Sequence, residues 1–265
     1  MDLPDSWETK TVHADGADLQ CYRTGTGPPI VLAHGFYDSG LRWVPLANDL
    51  ADEYEVVTYD ARGHGRSDAP PTGYELKDRI TDLRAVVRKF DLDDPVLLGH
   101  SMGAVTVART AATYPDLSRG VVLEDPVGIH DVPDAGPDER VTLAREKIED
   151  ITNQSVEDII TEHYQDIDLV HAKRLATASL DVRPEAAEIA RNGYPSPLGD
   201  VFPDITSRTL ILRRDTDVET RVRDLDAADS LPSGRLVHVP DAGHYVFQDE
   251  YDAAYAELQT FLRRI

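Results

Sequence analysis

The stretch Val96-Leu97-Leu98-Gly99-His100-Ser101-Met102-Gly103-Ala104 decides how the rest of the chain is read. A short apolar run of strand type ends at Gly99, and an alanine-rich helical pattern, Met102 to Tyr114, begins directly after Ser101. A sharp strand-to-helix turn of this kind lifts a serine hydroxyl above the end of a strand. The glycines on either side leave room where a Cβ would collide. As a bare five-residue pattern it could be an ordinary glycine-rich loop; its place between strand and helix makes Ser101 a candidate nucleophile.

A serine hydroxyl is a weak nucleophile at neutral pH and needs a base that can take its proton and return it. Histidine, with an ordinary pKa of about 6.5, fits that task. Of the 9 histidines, His244 in Asp241-Ala242-Gly243-His244 is the one placed on a loop after a C-terminal strand pattern with a glycine beside it. His64 falls in a turn, His100 flanks Ser101, and His130, His163 and His171 fall in or near a helical insertion. A third group should be a carboxylate that sets the tautomer of the base. Asp217, in Arg213-Arg214-Asp215-Thr216-Asp217, follows one strand pattern, and Asp125, in Leu123-Glu124-Asp125-Pro126, ends another. Both stay open on the residues alone, while Asp215 reads as a turn carboxylate. A developing oxyanion needs two preorganised donors, for which the backbone N–H groups of Phe36, in His34-Gly35-Phe36, and Met102 are candidates. His34 reads as a brace for its loop.

Outward from this centre, strand and helix patterns alternate, which predicts an α/β layer architecture. Thr11-Val12-His13-Ala14, the turn Asp15-Gly16 and Leu19-Gln20-Cys21-Tyr22 predict an antiparallel hairpin. Ile30 to Ala33, Val56 to Tyr59, Val96 to Leu98, Val121 to Leu123, Thr209 to Leu212 and Leu236 to Val239 predict buried strands, giving a mostly parallel sheet of about eight. Helices are expected over Tyr74 to Phe90, Arg221 to Asp229 and Tyr251 to Arg264. From 128 to 204 helix patterns alone appear, such as Glu139 to Glu149, Val156 to Tyr164 and Ala186 to Arg191, with Ser155 and Asp158 as an N-cap pair. That segment reads as a helical lid between the sixth and seventh strands, with 1–127 and 205–265 as the core.

The 265 residues suit one main α/β unit. With 49 acidic and 27 basic residues the formal net charge is −22, which excludes a nucleic-acid partner because phosphate would be repelled. The acids run through the whole chain, from Asp49 to Asp224-Leu225-Asp226, so the excess is expected on the folded surface. Only 5 of the 27 basic residues are lysine, and the composition resembles that of proteins from salt-loving archaea. The alternative is an ordinary acidic protein. No apolar run is long enough to cross a bilayer, and Met1-Asp2-Leu3-Pro4-Asp5 lacks the features of a secretory signal, so a cytoplasmic protein with no membrane partner is expected. Cys21 is alone and reads as a buried thiol. The sequence leaves the oligomeric state open.

His34-Gly35-Phe36, Asp60-Ala61-Arg62-Gly63-His64-Gly65-Arg66-Ser67, Gly99-His100-Ser101-Met102-Gly103 and Gly243-His244, in that order, resemble the α/β-hydrolase superfamily. They are similar in particular to its lidded branch of esterases, lactonases, carbon-carbon bond hydrolases, cofactor-free haloperoxidases and epoxide hydrolases. The likeness spans residues 18 to 127 and 208 to 264. It implies the α/β-hydrolase fold, no cofactor, no metal and a small-molecule substrate. The loop after the seventh strand, the commonest source of the triad acid in that fold, favours Asp217 as the acid beside Ser101 and His244, in the order Ser, Asp, His. Some relatives take the acid from the end of the sixth strand, which keeps Asp125 as the alternative, and Arg214 stands where the family often has a glycine. Ser101 and Tyr37 depart from the aspartate nucleophile and the proline of epoxide hydrolases and haloalkane dehalogenases. The resemblance implies a carboxylic ester or lactone hydrolase working through an acyl-enzyme, with Phe36, Tyr37, Trp43, Met102 and Tyr245 lining a moderately apolar pocket. A carbon-carbon bond hydrolase, an amidase or a hydrolase-fold ligand receptor would share the same residues.

Overall fold

The computed structural model describes every residue except Met1, Asp2, Pro4, Asp5, Pro133, Asp166 and Gly193. The signal-free N-terminus read from the sequence therefore lies, Leu3 apart, outside the described residues. In chain order the elements are β1 (Glu8–Ala14), β2 (Ala17–Thr24), β3 (Pro29–Ala33), α1 (Val44–Leu50), β4 (Glu55–Tyr59), α2 (Leu76–Lys89), β5 (Val96–His100), α3 (Met102–Thr113) and β6 (Gly120–Glu124). A helical stretch follows with α4 (Pro137–Thr152), α5 (Val156–His163), α6 (Leu169–Leu180) and α7 (Ile189–Asn192). The chain then returns to alternation with β7 (Arg208–Arg213), α8 (Val218–Ala228), β8 (Gly234–His238), α9 (Val246–Asp249) and α10 (Tyr251–Leu262). The fold is an eight-stranded, mostly parallel sheet with flanking helices, in the strand order β1-β2-β4-β3-β5-β6-β7-β8.

The contacts divide the chain into two compact units. The first comprises residues 1–28, 36–91 and 134–193. Its strands β1, β2 and β4 are antiparallel, and the expected hairpin is in register, with Val12 opposite Leu19 and Ala14 opposite Ala17 around Asp15-Gly16. Gly16 takes φ 75°, the left-handed conformation that such a tight two-residue turn demands. Asp60, at the end of β4, is fully buried. It accepts from the Tyr22 hydroxyl at 2.9 Å and from the backbone N–H groups of Gly40 at 2.7 Å and Arg66 at 2.9 Å. Burial pushes its carboxyl up to about 6 against those donors. Arg62 in the same turn forks onto Asp82 of α2 at 2.7 and 2.6 Å. The Asp60 to Ser67 motif is thus a buried polar turn whose side chains hold the loop.

The helical segment expected at 128–204 contains no strand among its described residues. Its α5 begins with the reciprocal cap read from Ser155 and Asp158, each donating from its backbone N–H to the other's side chain at 3.1 Å. Helix α6, not singled out from the sequence, buries Ala172, Leu175, Ala176 and Ala178 on one side and is capped by Asp168. In contact terms residues 134–193 cluster with the first unit, and 128–133 and 194–204 with the second.

The second unit comprises residues 29–35, 92–133 and 194–265. Strands β3, β5, β6, β7 and β8 pair in parallel, in the registers Val31 to Leu97, Leu98 to Val122, Val122 to Leu210 and Ile211 to Leu236. Strands β5 and β6 are buried along their whole length. That burial is why they appear in the sequence as uninterrupted apolar runs. Strand β8, at the end of the order, is partly exposed. Among the described residues no helix is long and apolar enough to cross a membrane.

Candidate active site

Ser101 sits between β5 and α3 with φ 51° and ψ −112°, a conformation costly for any residue with a Cβ. Its neighbours show why the turn closes. A Cβ on Gly99 would run into the backbone of Gly103, and one on Gly103 would run into the carbonyls of Ala33 and His34. Ser101 donates its backbone N–H to the Glu124 carbonyl at 3.0 Å, which ties the turn to the end of β6. Met102, 2% exposed, is the first residue of α3, at the positive end of the helix dipole. Gly103→Ala is expected to cost about 1–3 kcal/mol, because backbone and not a flexible side chain blocks the added methyl. A urea-unfolding midpoint equal to that of the unaltered protein would refute this.

His244 follows β8 on a loop fixed by three hydrogen bonds to Asp215 and Asp249. The Asp241 N–H donates to Asp215 Oδ2 at 3.0 Å, the Asp215 N–H donates to the Ala242 carbonyl at 2.8 Å, and the Gly243 N–H donates to Asp249 Oδ2 at 2.8 Å. His100, the residue before Ser101, donates from Nε2 to the His244 carbonyl at 3.0 Å, and the two rings lie 4.7 Å apart. Tyr245 closes the group, its ring 4.8 Å from His100 and 5.5 Å from His244. The Asp215 carboxyl is held below its usual range, chiefly by the Asp241 N–H and then by Arg221.

The carboxylate at His244 belongs to Asp125. Its Oδ2 lies 2.5 Å from His244 Nδ1, and Asp125 is 1% exposed. A carboxylate oxygen accepts, so Nδ1 carries the hydrogen and the lone pair of His244 is on Nε2, the tautomer a general base requires. Asp125 directly follows β6 with φ 36°, and its N–H donates to the Leu212 carbonyl at 2.8 Å. Asp217, favoured from its place on the loop after the seventh strand, is elsewhere. It caps the exposed start of α8, accepting from the Thr220 N–H at 2.9 Å and the Thr220 hydroxyl at 2.8 Å. The Thr220 N–H holds its carboxyl below the usual range. A carboxylate engaged at a helix N-terminus in this way is not directed at the imidazole.

Of the remaining residues read from the sequence, Tyr245 lies beside His244. His34 is buried and donates from Nδ1 to the Gly35 carbonyl at 2.6 Å. An idealised Cβ on Gly35 would lie 3.6 Å from Ser101 Cβ, so this loop packs on the serine turn. Phe36, Tyr37 and Trp43 belong to the first unit. There the Phe36 ring lies 4.7 Å from Tyr37 and 5.7 Å from His64, and Trp43 is buried beneath the Arg42 guanidinium at 4.5 Å. The sequence reading missed Arg213, Asp224, His130 and His238, which the fold gathers behind Asp125. It also placed Asp224 with the surface acids, whereas Asp224 is fully buried. The available signal was an arginine closing the buried apolar run Leu210-Ile211-Leu212. Among the described residues no three His, Cys, Asp or Glu side chains are grouped to hold a metal ion.

The model of a family described as an alpha/beta hydrolase family matches residues 30–258. A 2-(acetamidomethylene)succinate hydrolase of Mesorhizobium japonicum is 31% identical over 252 residues, covering 91% of this chain and 90% of that protein. Among solved structures, an esterase from Exiguobacterium antarcticum superposes with a TM-score of 0.80 at 22% identity, covering 97% of this chain and all of that one. The enol-lactonase from Burkholderia xenovorans LB400 does so with a TM-score of 0.79 at 21% identity, covering 96% and 100%. With the serine turn, the histidine loop and a matched stretch that runs from β3 into α10, the chain belongs to the alpha/beta hydrolase family and is a hydrolase enzyme.

Proposed function

We propose that the protein hydrolyses a small carboxylic ester or lactone through an acyl-enzyme on Ser101, with His244 as general base and Asp125 as the triad acid. The observation that carries this reading is the 2.5 Å contact from Asp125 Oδ2 to His244 Nδ1, on a loop that His100 ties to the serine turn. His244 Nε2 takes the hydroxyl proton as Ser101 Oγ attacks the acyl carbon, and Asp125 stabilises the imidazolium that forms. The Met102 N–H at the start of α3 is a donor for the developing oxyanion. Collapse of the tetrahedral species expels the alcohol, which takes its proton from His244. Water then enters by the same base to release the acid.

Cleavage of an amide is the second reading, and the 31% identical hydrolase of an acetamido-substituted succinate favours it. Labelling by a fluorophosphonate probe tests the serine mechanism, and a panel of short p-nitrophenyl esters, lactones, N-acyl acids and β-diketones tests the bond cleaved. Labelling at Ser101 with ester or lactone turnover is the expected result. Turnover of N-acyl acids alone would replace the first reading by the second, and absence of labelling would overturn both.

The acidic composition supports adaptation to concentrated salt. A surface of net charge −22 repels itself, and the screening length falls from about 10 Å at 0.1 M salt to about 3 Å at 1 M. The Tm is expected to rise steadily between dilute buffer and molar KCl. A flat profile would return the chain to an ordinary acidic protein.

A further inference from the structure

Behind the triad lies a second layer of buried charge. The oxygen of Asp125 that does not face His244, Oδ1, accepts from Arg213 Nη1 at 2.5 Å and from the Arg214 N–H at 3.4 Å. Arg213 is the last residue of β7 and is 7% exposed. Its Nη1 also donates to the Pro126 carbonyl at 3.1 Å, while Nε and Nη2 donate to Asp224 of α8 at 2.9 and 3.4 Å. Asp224, fully buried, accepts in addition from His130 Nε2 at 2.8 Å and His238 Nε2 at 3.0 Å. Burial alone would raise the Asp224 carboxyl, yet it lies below its usual range because Arg213, His130 and His238 outweigh that effect.

An ion pair made only for packing needs one carboxylate for one guanidinium. Here one rigid guanidinium is shared between two carboxylates, one of which holds the catalytic histidine. A lone arginine on Asp125 would weaken that carboxylate's hold on the imidazolium that forms during the reaction. With Asp224 present, Asp125, Arg213 and Asp224 together carry a single negative charge, as an isolated triad acid would.

We propose that Arg213 is a positioning residue that clamps the Asp125 carboxylate toward His244, and that Asp224 restores the negative charge the guanidinium would otherwise cancel. The inference rests on the Ser101-His244-Asp125 reading. The charged and titratable groups facing this arm are His244, Arg214 (Nε 3.6 Å from Asp125 Oδ2), His130 and His238. Its signature is a pair of opposite shifts. Removing Arg213 leaves two anions near His244, which favours the imidazolium and moves the acid limb of reactivity to higher pH. Removing the charge of Asp224 leaves Asp125 neutralised and moves the limb to lower pH.

The test is the pH profile of fluorophosphonate inactivation, which reads Ser101 activation without needing the natural substrate. It is measured for the wild type, Arg213→Met, Arg213→Lys, Asp224→Asn and the double variant Arg213→Met/Asp224→Leu, with folding followed by near-UV circular dichroism. Arg213→Met is expected to slow the maximal inactivation rate by about 10–100-fold, as loss of an outer hydrogen-bonded layer does, with probe affinity little changed. Arg213→Lys should recover part of that rate with the limb near its wild-type position. The double variant, whose charge is balanced, should be slow with the limb unshifted.

Shifts of the same sign in the two single variants, or wild-type behaviour of Arg213→Met, would overturn the proposal. If Asp224→Asn does not fold, the double variant decides by its rate: slow inactivation at an unshifted limb supports the clamp, and a wild-type rate overturns it. Wild-type protein that resists the probe, or Asp125→Asn labelled at the wild-type rate, would instead overturn the triad reading and this one with it.

Discussion

Ser101→Ala is expected to fold as the wild type does and to lose turnover by about 10⁶-fold, roughly 8 kcal/mol of transition-state stabilisation. The substitution removes one oxygen and leaves the Cβ, so the backbone at φ 51° meets the same sterics as before. On the proposed mechanism it removes the atom that forms the acyl bond, and the neighbouring His100 or a bound water does not replace an oriented hydroxyl beside a base. The measurement is paired: ester or lactone turnover and fluorophosphonate labelling should vanish together, with an unchanged urea-unfolding midpoint. Retention of substantial activity would remove Ser101 from the reaction.

The serine turn was legible because its causes are local. Gly99 and Gly103 are required by backbone atoms a few residues away or on the adjacent strand, and such requirements appear directly as residue types at fixed spacing. The parallel strands were legible for a related reason, since burial on both faces removes polar residues from them. Which aspartate faces His244 was not legible. Asp125 and Asp217 each follow a buried strand, and which of them reaches His244 depends on how far the loops after β6 and β7 travel, which no short pattern encodes. One local clue was available: Asp217-Val218-Glu219-Thr220 is a helix-start signature, and an aspartate that caps a helix has its oxygens engaged. The Asp224 cluster was still harder to foresee, because its members come from β7, β8, α8 and the segment after β6 and meet only through tertiary packing.

The assignment of the acid is decided by substitutions that remove charge and keep shape. Asp125→Asn is expected to lower kcat by about 10⁴-fold, near 5 kcal/mol, because the amide cannot satisfy both neighbours. Its one carbonyl can face His244 Nδ1–H or the Arg213 guanidinium. Whichever it faces, its NH2 confronts a donor on the other side. Turning the NH2 to His244 forces the imidazole into the opposite tautomer, with its hydrogen on the nitrogen that must accept the serine proton. Asp217→Ala should leave kcat close to wild type and lower only stability, through loss of the α8 cap. Because the Asp217 carboxyl is held below its usual range, its contribution is present above the ordinary carboxylate pKa and is lost as pH falls through the folded value. The stability gap between Asp217→Ala and wild type should therefore narrow in acid. Asp215→Asn should fall between the two, since Asp215 braces the loop that carries His244. A severe loss of kcat in Asp217→Ala with an active Asp125→Asn would return the acid to the strand β7 loop and would require His244 to turn away from the contact it makes with Asp125.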